Sequence, residues 1–257
     1  MERAIQEVAE KIAAGRKNVA LTGAGISVES GVPDFRSPGG LWERFDPMEY
    51  ASIEAFEADP VKVWQMLAEM SRVLEAAAPN PAHLALARLE ALGRLAGVIT
   101  QNIDNLHRAA GSQQVVEYHG NASRLICLSC GVRQDALDAR RRMQAAGDEG
   151  PPRCPHCDRV LKPDAVFFGE PIPAEPGRLA MELSSEPDVF MVVGTSGMVA
   201  PASYLPVVAK KTGGLIVEIN PEQTPLSEGF ADRVLRGPAG ELLPELARRV
   251  EALVPGA

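Results

Sequence analysis

The stretch NVALTGAGISVESGVPDFRSPGGLW, residues 18–42, predicts the fold and contains the first candidate binding residues. It begins with a short apolar run at residues 19–21, typical of a buried strand, and continues through a turn that contains Gly23 and Gly25. A strand, a glycine turn and a helix are how a doubly wound α/β protein binds a dinucleotide. Glycine lets the backbone approach the pyrophosphate, and the helix N-terminus favours its charge. We therefore expect a parallel sheet with a dinucleotide site at this turn.

The turn departs from the usual dinucleotide fingerprint at its third glycine. In G-x-G-x-x-G that glycine would stand at position 28, where the chain has Val28. An NAD dehydrogenase would also need an acidic residue at the end of the next strand, about 20 residues on. A polar loop follows instead, with Asp34, Phe35 and Arg36 directly after Pro33. The stretch therefore argues against a dehydrogenase and favours a dinucleotide site of another kind.

The overall composition is that of an ordinary globular protein. A length of 257 residues suits one large α/β domain, or one such domain with a small insert. The net charge of -8 argues against nucleic-acid binding over the whole surface. The sequence has no apolar run near the roughly 20 residues of a membrane helix, and its N-terminus lacks the apolar core of a signal peptide. We expect a cytoplasmic protein, favour a monomer over oligomers, and expect no direct contact with nucleic acid or membrane.

Alternating apolar and polar segments predict the order of strands and helices. Strands are expected at residues 19–21, 97–100, 114–118, 188–194 and 215–220. Helices are expected near residues 5–14, 82–92, 202–211 and 240–253, and residues 46–78 look helical, with Pro47 and Pro60 at helix starts. Residues 123–160 lack long apolar runs and hold all the cysteines, which predicts a small inserted module.

The cysteines form two close pairs, typical of a metal site. Cys127 and Cys130 make one C-x-x-C pair, and Cys154 and Cys157 make the other, with residues 131–153 between them. Four thiolates in this arrangement can complete a tetrahedral shell around zinc and leave no position for water, so the predicted metal is structural. Two disulfides or four free thiols are the alternatives. His156 lies between two ligands and is expected to be a bystander.

Polar residues follow each of the five predicted strands. In chain order these are Gly23, Ala24 and Gly25; Gln101, Asn102, Ile103 and Asp104; His119; Gly194, Thr195 and Ser196; and Asn220. Each has an ordinary explanation as a cap or turn residue. Together they indicate a ligand site, because ligands of open parallel sheets bind at the carboxyl ends of the strands.

His119 is the candidate proton acceptor among the four histidines. It precedes Gly120 at a strand end, so an imidazole there can face the cleft and take a proton near neutral pH. His83 and His107 fall in predicted helices and are expected to be structural or on the surface.

These motifs together resemble the sirtuins, NAD-dependent protein-lysine deacylases. The matching segments are GAGISVESGVPDFR, TQNIDNLH, YHG at residues 118–120, the paired cysteines, FFGE at residues 167–170, GTS at residues 194–196 and IN at residues 219–220. They follow the family's order over residues 4–246, and the compact bacterial and archaeal members are the most similar.

The resemblance implies a division of the chain into three parts. A Rossmann-like NAD-binding domain would comprise residues 1–45, 79–122 and 160–257. A helical module would comprise residues 46–78, and a zinc-binding module residues 123–159. NAD and an acyl-lysine protein or peptide would enter the cleft from opposite sides.

The resemblance also implies roles for individual residues. NAD would contact Gly23, Ala24, Gly25, Ser27, Asp34, Phe35, Arg36, Gln101, Asn102, Ile103, Asp104, Gly194, Thr195, Ser196, Asn220, Pro221 and Ala239. The substrate peptide would add as a strand to Val166, Phe167, Phe168, Gly169 and Glu170. Asn102 and Asp104 would be catalytic residues in the pocket for nicotinamide and its ribose, where Asp104 and the Ile103 backbone would hold the carboxamide. His119 would be the general base that takes a proton from the ribose hydroxyls, and the products would be nicotinamide, free lysine and O-acyl-ADP-ribose.

One departure from part of the family concerns the acyl group. Sirtuins that favour succinyl or malonyl lysine have a Tyr and an Arg three residues apart where this chain has Leu67 and Met70. Without a guanidinium to pair a carboxylate, an apolar pocket is expected to take acetyl or longer fatty acyl chains. Leu67 and Met70 could instead be ordinary core residues at helical spacing.

Two further functions compete with deacylation. A mono-ADP-ribosyltransferase would use the same NAD site and transfer the ribose to protein. A non-catalytic NAD-binding or zinc-ribbon module would be expected to have lost His119 or the Asn102–Ile103–Asp104 motif, and both are intact.

Overall fold

The computed structural model describes residues 1–33, 44–147 and 150–254. Six parallel strands form the main sheet, in the order β3-β2-β1-β7-β8-β9. The strands are β1 Asn18–Thr22, β2 Gly97–Thr100, β3 Val115–Glu117, β7 Val189–Val193, β8 Leu215–Asn220 and β9 Arg233–Arg236. The order reverses between β1 and β7, as in a doubly wound dinucleotide-binding sheet. The predicted α/β fold class is confirmed.

Helices cover both faces of this sheet. They are α1 Glu2–Ala14, α5 Pro81–Ala91, α6 Leu106–Ala109, α8 Ala174–Ser184, α9 Leu205–Lys211 and α10 Ala239–Leu253. Successive strand residues point to opposite faces. Ala20 therefore packs with α1, α5 and α10, whereas Leu21 packs on the opposite face with α8 and α9. Because both faces are buried, the central strands are the continuous apolar runs seen in the sequence.

The helical module follows the two prolines. It consists of α2 Pro47–Tyr50, α3 Ile53–Ala58 and α4 Pro60–Ala76. Asp46, Ser52 and Asp59 cap the three helices by accepting backbone N–H groups. A proline at the first helical position loses no hydrogen bond, which explains why Pro47 and Pro60 mark helix starts.

A second, antiparallel sheet carries the cysteines. Its strands are β4 Gly120–Ile126, β5 Arg133–Asp135 and β6 Lys162–Ala165, in the order β5-β4-β6, with α7 Ala136–Ala146 packed on β4. The sheet runs from residue 120 to residue 165 and extends past the predicted module on both sides. Trp64 of α4 donates to the carbonyl of Leu161 at 2.8 Å, so the helical module and this sheet are packed together.

Two elements of the main domain were not anticipated. Strand β9 has only one fully buried side chain, Leu235, between charged residues, so it lacks an apolar run. Helix α8 contains Pro176 and Gly177, which interrupt its helical pattern. In the described parts of the chain, every helix is too short or too polar to span a bilayer.

Candidate functional site

The carboxyl ends of β1 and β7 meet through glycine backbone. Gly23 donates to the carbonyl of Val193 at 3.0 Å, and Gly25 donates to the carbonyl of Gly194 at 2.8 Å. A Cβ built on Gly194 would lie 2.4 Å from the Ile26 nitrogen, and Gly194 has a left-handed φ of 57°. The contact is therefore possible only with glycine. The two glycine turns thus meet in a close backbone contact at the carboxyl ends of β1 and β7, which is called the glycine cradle below.

The segment after the cradle explains why a third glycine is unnecessary. Residues Ala24–Ser30 form a 3-10 helix of seven residues, where the sequence predicted an ordinary helix. In the usual fingerprint the third glycine allows close packing between helix and strand. Val28 is 46% exposed, so its side chain meets no such restriction.

Asn102 and Gln101 tie the end of β2 to the cradle. The buried Asn102 amide donates to the carbonyl of Gly23 and to Ser27 Oγ, both at 3.1 Å. Gln101 Nε2 donates to Thr195 Oγ1 at 3.1 Å. The structure thus brings together residues that follow β1, β2 and β7, as predicted from the strand ends.

Asp104 is held at the same edge. Its Oδ2 accepts from Ser27 Oγ at 2.7 Å, and its Oδ1 accepts from the backbone N–H of Leu106 at 2.9 Å. Asn105 follows in the left-handed conformation, with φ 65°, which turns the chain into α6. Ile103, which lies between Asn102 and Asp104, is half-buried, and its carbonyl accepts from the N–H of Ala122 near the start of β4.

His119 lies against the same loop, between β3 and β4. Its Nδ1 lies 3.0 Å from the carbonyl oxygen of Gln101. The ring is mostly buried, and this burial lowers the His119 pKa from its ordinary 6.5, although the hydrogen bond to Gln101 opposes the shift. Burial therefore favours a neutral imidazole, which can accept a proton.

The opposite side of the cradle is formed by β8 and α10. Asn220 Nδ2 donates to the carbonyl of Thr195 at 3.2 Å, which joins the ends of β7 and β8. Ser196 is half-buried and Pro221 is exposed beside them. Ala239 is buried as the first residue of α10, whose next N–H, from Gly240, donates to Glu29 Oε2 at 2.7 Å. Asp34, Phe35 and Arg36 lie outside the described residues.

A buried polar network under the site was missed by the sequence analysis. Thr22 Oγ1 lies 2.9 Å from both Thr100 Oγ1 and His107 Nε2. The rings of His83 and His107 are 4.8 Å apart, edge to face, and His83 Nε2 lies 3.4 Å from Ser27 Oγ. Both histidines are buried inside the protein, so of the two expected positions, structural or on the surface, they occupy the structural one. The sequence places His83 and His107 in two separate helical segments. It does not indicate that these helices, α5 and α6, pack against each other.

Burial has a clear effect on these two histidines. It lowers the pKa of His83 to about 4, although the nearby Asp104 charge raises it. It lowers the pKa of His107 to about 3, and His83 adds to the effect. Both rings are therefore neutral at ordinary pH and serve as hydrogen-bonding groups that pack beneath the loop of residues 101–104.

The predicted peptide segment is not a regular strand. Strand β6 ends at Ala165, and Phe168 makes a single parallel bridge to Ser52. The Phe168 N–H donates to the carbonyl of Ala51, and its carbonyl accepts from Ile53, both at 2.9 Å. Val166 donates to the carbonyl of His119 at 2.8 Å. These bonds hold the segment between His119 and the helical module.

Leu67 and Met70 differ in their surroundings. Leu67 is buried in the core of the helical module, in one cluster with Phe56, Val63 and Phe167. Met70 is half-buried at the edge of that cluster. Met70 is therefore the more accessible of the two candidate pocket residues.

The four cysteines converge beside the second sheet, in the segments that join β4 to β5 and α7 to β6. The Sγ atoms of Cys127 and Cys157 are 3.5 Å apart, as are those of Cys130 and Cys154, and all four lie within 4.8 Å of one another. A disulfide would need about 2.05 Å, so the pairs are not bonded. Four clustered thiolate donors fit tetrahedral zinc.

Comparison with known proteins finds relatives that match nearly the whole chain. The Sir2 family model matches residues 23–201. An NAD-dependent protein deacylase of Thermococcus kodakarensis is 46% identical over 246 residues, which cover 96% of this chain and 95% of the relative. A Sir2 homologue in complex with NAD is 42% identical with a TM-score of 0.87, over 96% of this chain and 94% of that one. A Sir2 protein bound to a myristoylated histone peptide is 38% identical with a TM-score of 0.82, over 98% of each chain. From its sequence and its fold, this chain belongs to the Sir2 family.

Proposed function

We propose that this protein is an NAD-dependent protein-lysine deacylase that transfers the acyl group of an acyl-lysine to ADP-ribose. The observation that carries the proposal is the position of His119. A mostly buried imidazole is bonded to the loop of residues 101–104, which is itself bonded to the glycine cradle. The site thus combines a base with a dinucleotide cradle, and family membership gives the arrangement its chemistry.

The residues of the cradle would hold NAD. The backbone of Gly23, Ala24, Gly25 and Gly194 would face the phosphates, and Asn220 and Ala239 would lie on the adenosine side. Ile103 and Asp104 would bind the nicotinamide carboxamide, because a carboxylate oxygen accepts from an amide N–H. NAD supplies a ribose carbon that accepts the acyl oxygen when nicotinamide leaves. Asp34, Phe35 and Arg36 would also contact NAD.

His119 would act after nicotinamide has left. Its neutral ring would take a proton from a ribose hydroxyl at Nε2, since Nδ1 faces the carbonyl of Gln101. Asn102 would keep the loop on the cradle through its bonds to Gly23 and Ser27. With one water consumed, the products would be nicotinamide, free lysine and O-acyl-ADP-ribose.

The substrates would be proteins or peptides that carry an apolar acyl group on lysine. They would bind along residues 166–170, next to the helical module that contains Leu67 and Met70. The relative in complex with a myristoylated histone peptide supports a long-chain acyl group as one substrate. Zinc bound by the four cysteines would be structural. The chain would be divided into a helical module of residues 46–78, a zinc-binding module of residues 123–159 and an NAD-binding domain formed by the remainder.

One incubation tests this function. The purified protein is mixed with NAD and a panel of acetyl, myristoyl and succinyl lysine peptides, and the products are identified by mass spectrometry. We expect NAD-dependent loss of the apolar acyl groups together with nicotinamide and O-acyl-ADP-ribose, and little loss of succinyl. Transfer of labelled ADP-ribose to protein, without consumption of acyl-lysine, would instead indicate a mono-ADP-ribosyltransferase. We expect the protein to act as a cytoplasmic monomer, which size-exclusion chromatography and cell fractionation test.

A further inference from the structure

Lys162 is a buried cation that the proposed chemistry does not use. It lies in β6 opposite Ile126, and its side chain is 3% exposed. Burying an ammonium group is costly unless it is paired and hydrogen-bonded. The contacts of the Lys162 ammonium group must therefore compensate for its burial.

The Lys162 ammonium makes polar contacts with three groups that follow it in the chain. Nζ donates to the carbonyls of Pro163 and Ala165, and to Glu170 Oε2 at 2.9 Å. It also lies 4.2 Å from the centre of the Phe167 ring, a distance that gives a cation–π contact. The side chain thus closes residues 162–170 into a loop around its own charge.

Glu170 completes the same loop from the other end. Its Oε2 accepts from the backbone N–H of Phe167 at 2.7 Å as well as from Lys162. Its own N–H donates to the carbonyl of Phe167 at 3.0 Å. Both backbone groups of Phe167 are therefore satisfied within the loop, and the ring of Phe167 is fixed in the core of the helical module.

We propose that Lys162 is a positioning residue for the acyl-lysine peptide, which sets the backbone of residues 166–170 against His119 and the helical module. This inference rests on the proposed function, because only a peptide-dependent enzyme needs that segment in a fixed place. Lys162 itself contacts neither reacting group. It acts through Phe167 and Glu170, which belong to the predicted peptide-binding segment of residues 166–170.

The test compares the single variant E170Q, in which the buried ammonium keeps its carbonyl partners and loses the carboxylate charge, with a double variant that removes both charges. E170Q keeps Lys162 and still offers an oxygen to the Phe167 N–H. K162M/E170Q removes the ammonium and keeps a neutral pair of similar volume, a kind of replacement that buried ion pairs often tolerate. R133M is the matched control, because it removes an exposed ion pair with Asp164 in the same sheet.

The readouts are the affinity for a labelled acetyl-lysine peptide, the affinity for NAD, the zinc content and the melting temperature. We expect K162M/E170Q to bind the peptide about tenfold more weakly than E170Q. NAD affinity, zinc content and cooperative melting should stay close to those of E170Q, and R133M should match the wild type.

The inference is overturned if K162M/E170Q binds the peptide as tightly as E170Q, or if its affinity for NAD falls equally. Loss of zinc or of cooperative melting in the double variant, while E170Q keeps both, would show that Lys162 serves the fold and would also overturn it. If the wild-type protein does not bind acyl-lysine peptide at all, the proposed function fails together with this inference. The wild-type measurement therefore separates the two failures.

Discussion

The Nδ1 atom of His119 lies 3.0 Å from the carbonyl oxygen of Gln101. A carbonyl oxygen only accepts hydrogen bonds, so a neutral His119 must carry its proton on Nδ1. The lone pair is then on Nε2, the nitrogen that is free to act as a base. The same bond fixes the His119 ring beside the loop that holds Asp104. The proton-accepting ring and the predicted nicotinamide site are therefore positioned by the same loop.

The pH dependence of deacylation should reflect this ring. Burial lowers the His119 pKa below 6.5, and the base works only when neutral. The rate should therefore be maximal above this pKa and fall as the pH drops through it, with a midpoint below about 6.5. Initial rates against pH with a saturating acetyl-lysine peptide measure this midpoint, and a midpoint above 7 would contradict the assignment.

Removing the ring should separate two activities. We expect His119→Ala to abolish deacylation, because no other base is proposed for the ribose hydroxyl, and to keep some exchange of labelled nicotinamide into NAD. His156→Ala serves as the control, since His156 is exposed in the cysteine module. Full deacylation by the His119 variant would refute the role of His119.

The glycine cradle predicts a position-specific effect of one methyl group. Gly194→Ala places a Cβ 2.4 Å from the Ile26 nitrogen, a backbone atom that cannot move independently. Gly213→Ala is the matched control, because Gly213 also has a left-handed φ but a Cβ there meets nothing within 4 Å among the described residues. Left-handed strain costs both variants roughly 1–3 kcal/mol. We expect only Gly194→Ala to lose NAD binding in calorimetric titration.

The sequence predicted these parts of the site because their chemistry depends on local residue type. Glycine turns, C-x-x-C pairs and polar residues at strand ends are visible without coordinates, and the strands β1, β2, β7 and β8 were apolar runs. The network of Thr22, Thr100, His83 and His107 could not be predicted in the same way. It exists only because α5 and α6 pack beneath the ends of β1 and β2, which is a contact between distant segments.

Lys162 and β9 are two further features that the sequence alone could not predict. A single lysine in a segment rich in proline and acidic residues would be predicted to lie on the surface. Lys162 can be buried only because Glu170 and two carbonyls surround its ammonium group, and the sequence does not show these contacts. Strand β9 pairs with β8 at one edge of the sheet, where the register Val217 to Arg233 tolerates charged side chains. Neither feature has a periodic pattern that a sequence could display.

The cysteine cluster predicts one zinc ion per chain. We expect elemental analysis of freshly purified protein to find about one zinc, and Cys157→Ser to lower this content because it removes one of four ligands. His156→Ala should keep the zinc, since the thiolates fill the tetrahedral shell. Chelation should make residues 127–157 sensitive to protease and release four reactive thiols. Wild-type protein without zinc would contradict the assignment.

Met70 predicts how the acyl preference can be changed. It is half-buried, so an arginine there can reach a substrate carboxylate while remaining partly hydrated, whereas an arginine at the buried Leu67 could not. We expect Met70→Arg to raise the ratio of desuccinylation to deacetylation by about tenfold or more. Met70→Leu is the control of similar volume and should leave the ratio unchanged. Efficient desuccinylation by the wild type would refute the apolar pocket.

The buried histidine pair predicts a loss of stability in mild acid. In the folded protein the pKa of His83 is lowered to about 4 and that of His107 to about 3, while an unfolded chain protonates both near 6.5. Between these values the unfolded state binds more protons, so the free energy of unfolding falls as the pH drops below about 6.5. Each histidine contributes a slope of roughly 1.4 kcal/mol per pH unit once its unfolded form is protonated.

Urea unfolding between about pH 7 and pH 5.5 measures this slope, a range chosen because most carboxylates remain ionised. His107→Gln removes one titrating ring and keeps a side-chain amide that can reach Thr22, so the slope should fall clearly, but by less than half because the lowered pKa of His119 also contributes. His156→Gln removes an exposed histidine and should leave the slope unchanged. Equal slopes in the wild type and His107→Gln would show that His107 is already protonated in the folded state. In that case the buried pair would share a proton, and the neutral network beneath the loop of residues 101–104 would be wrong.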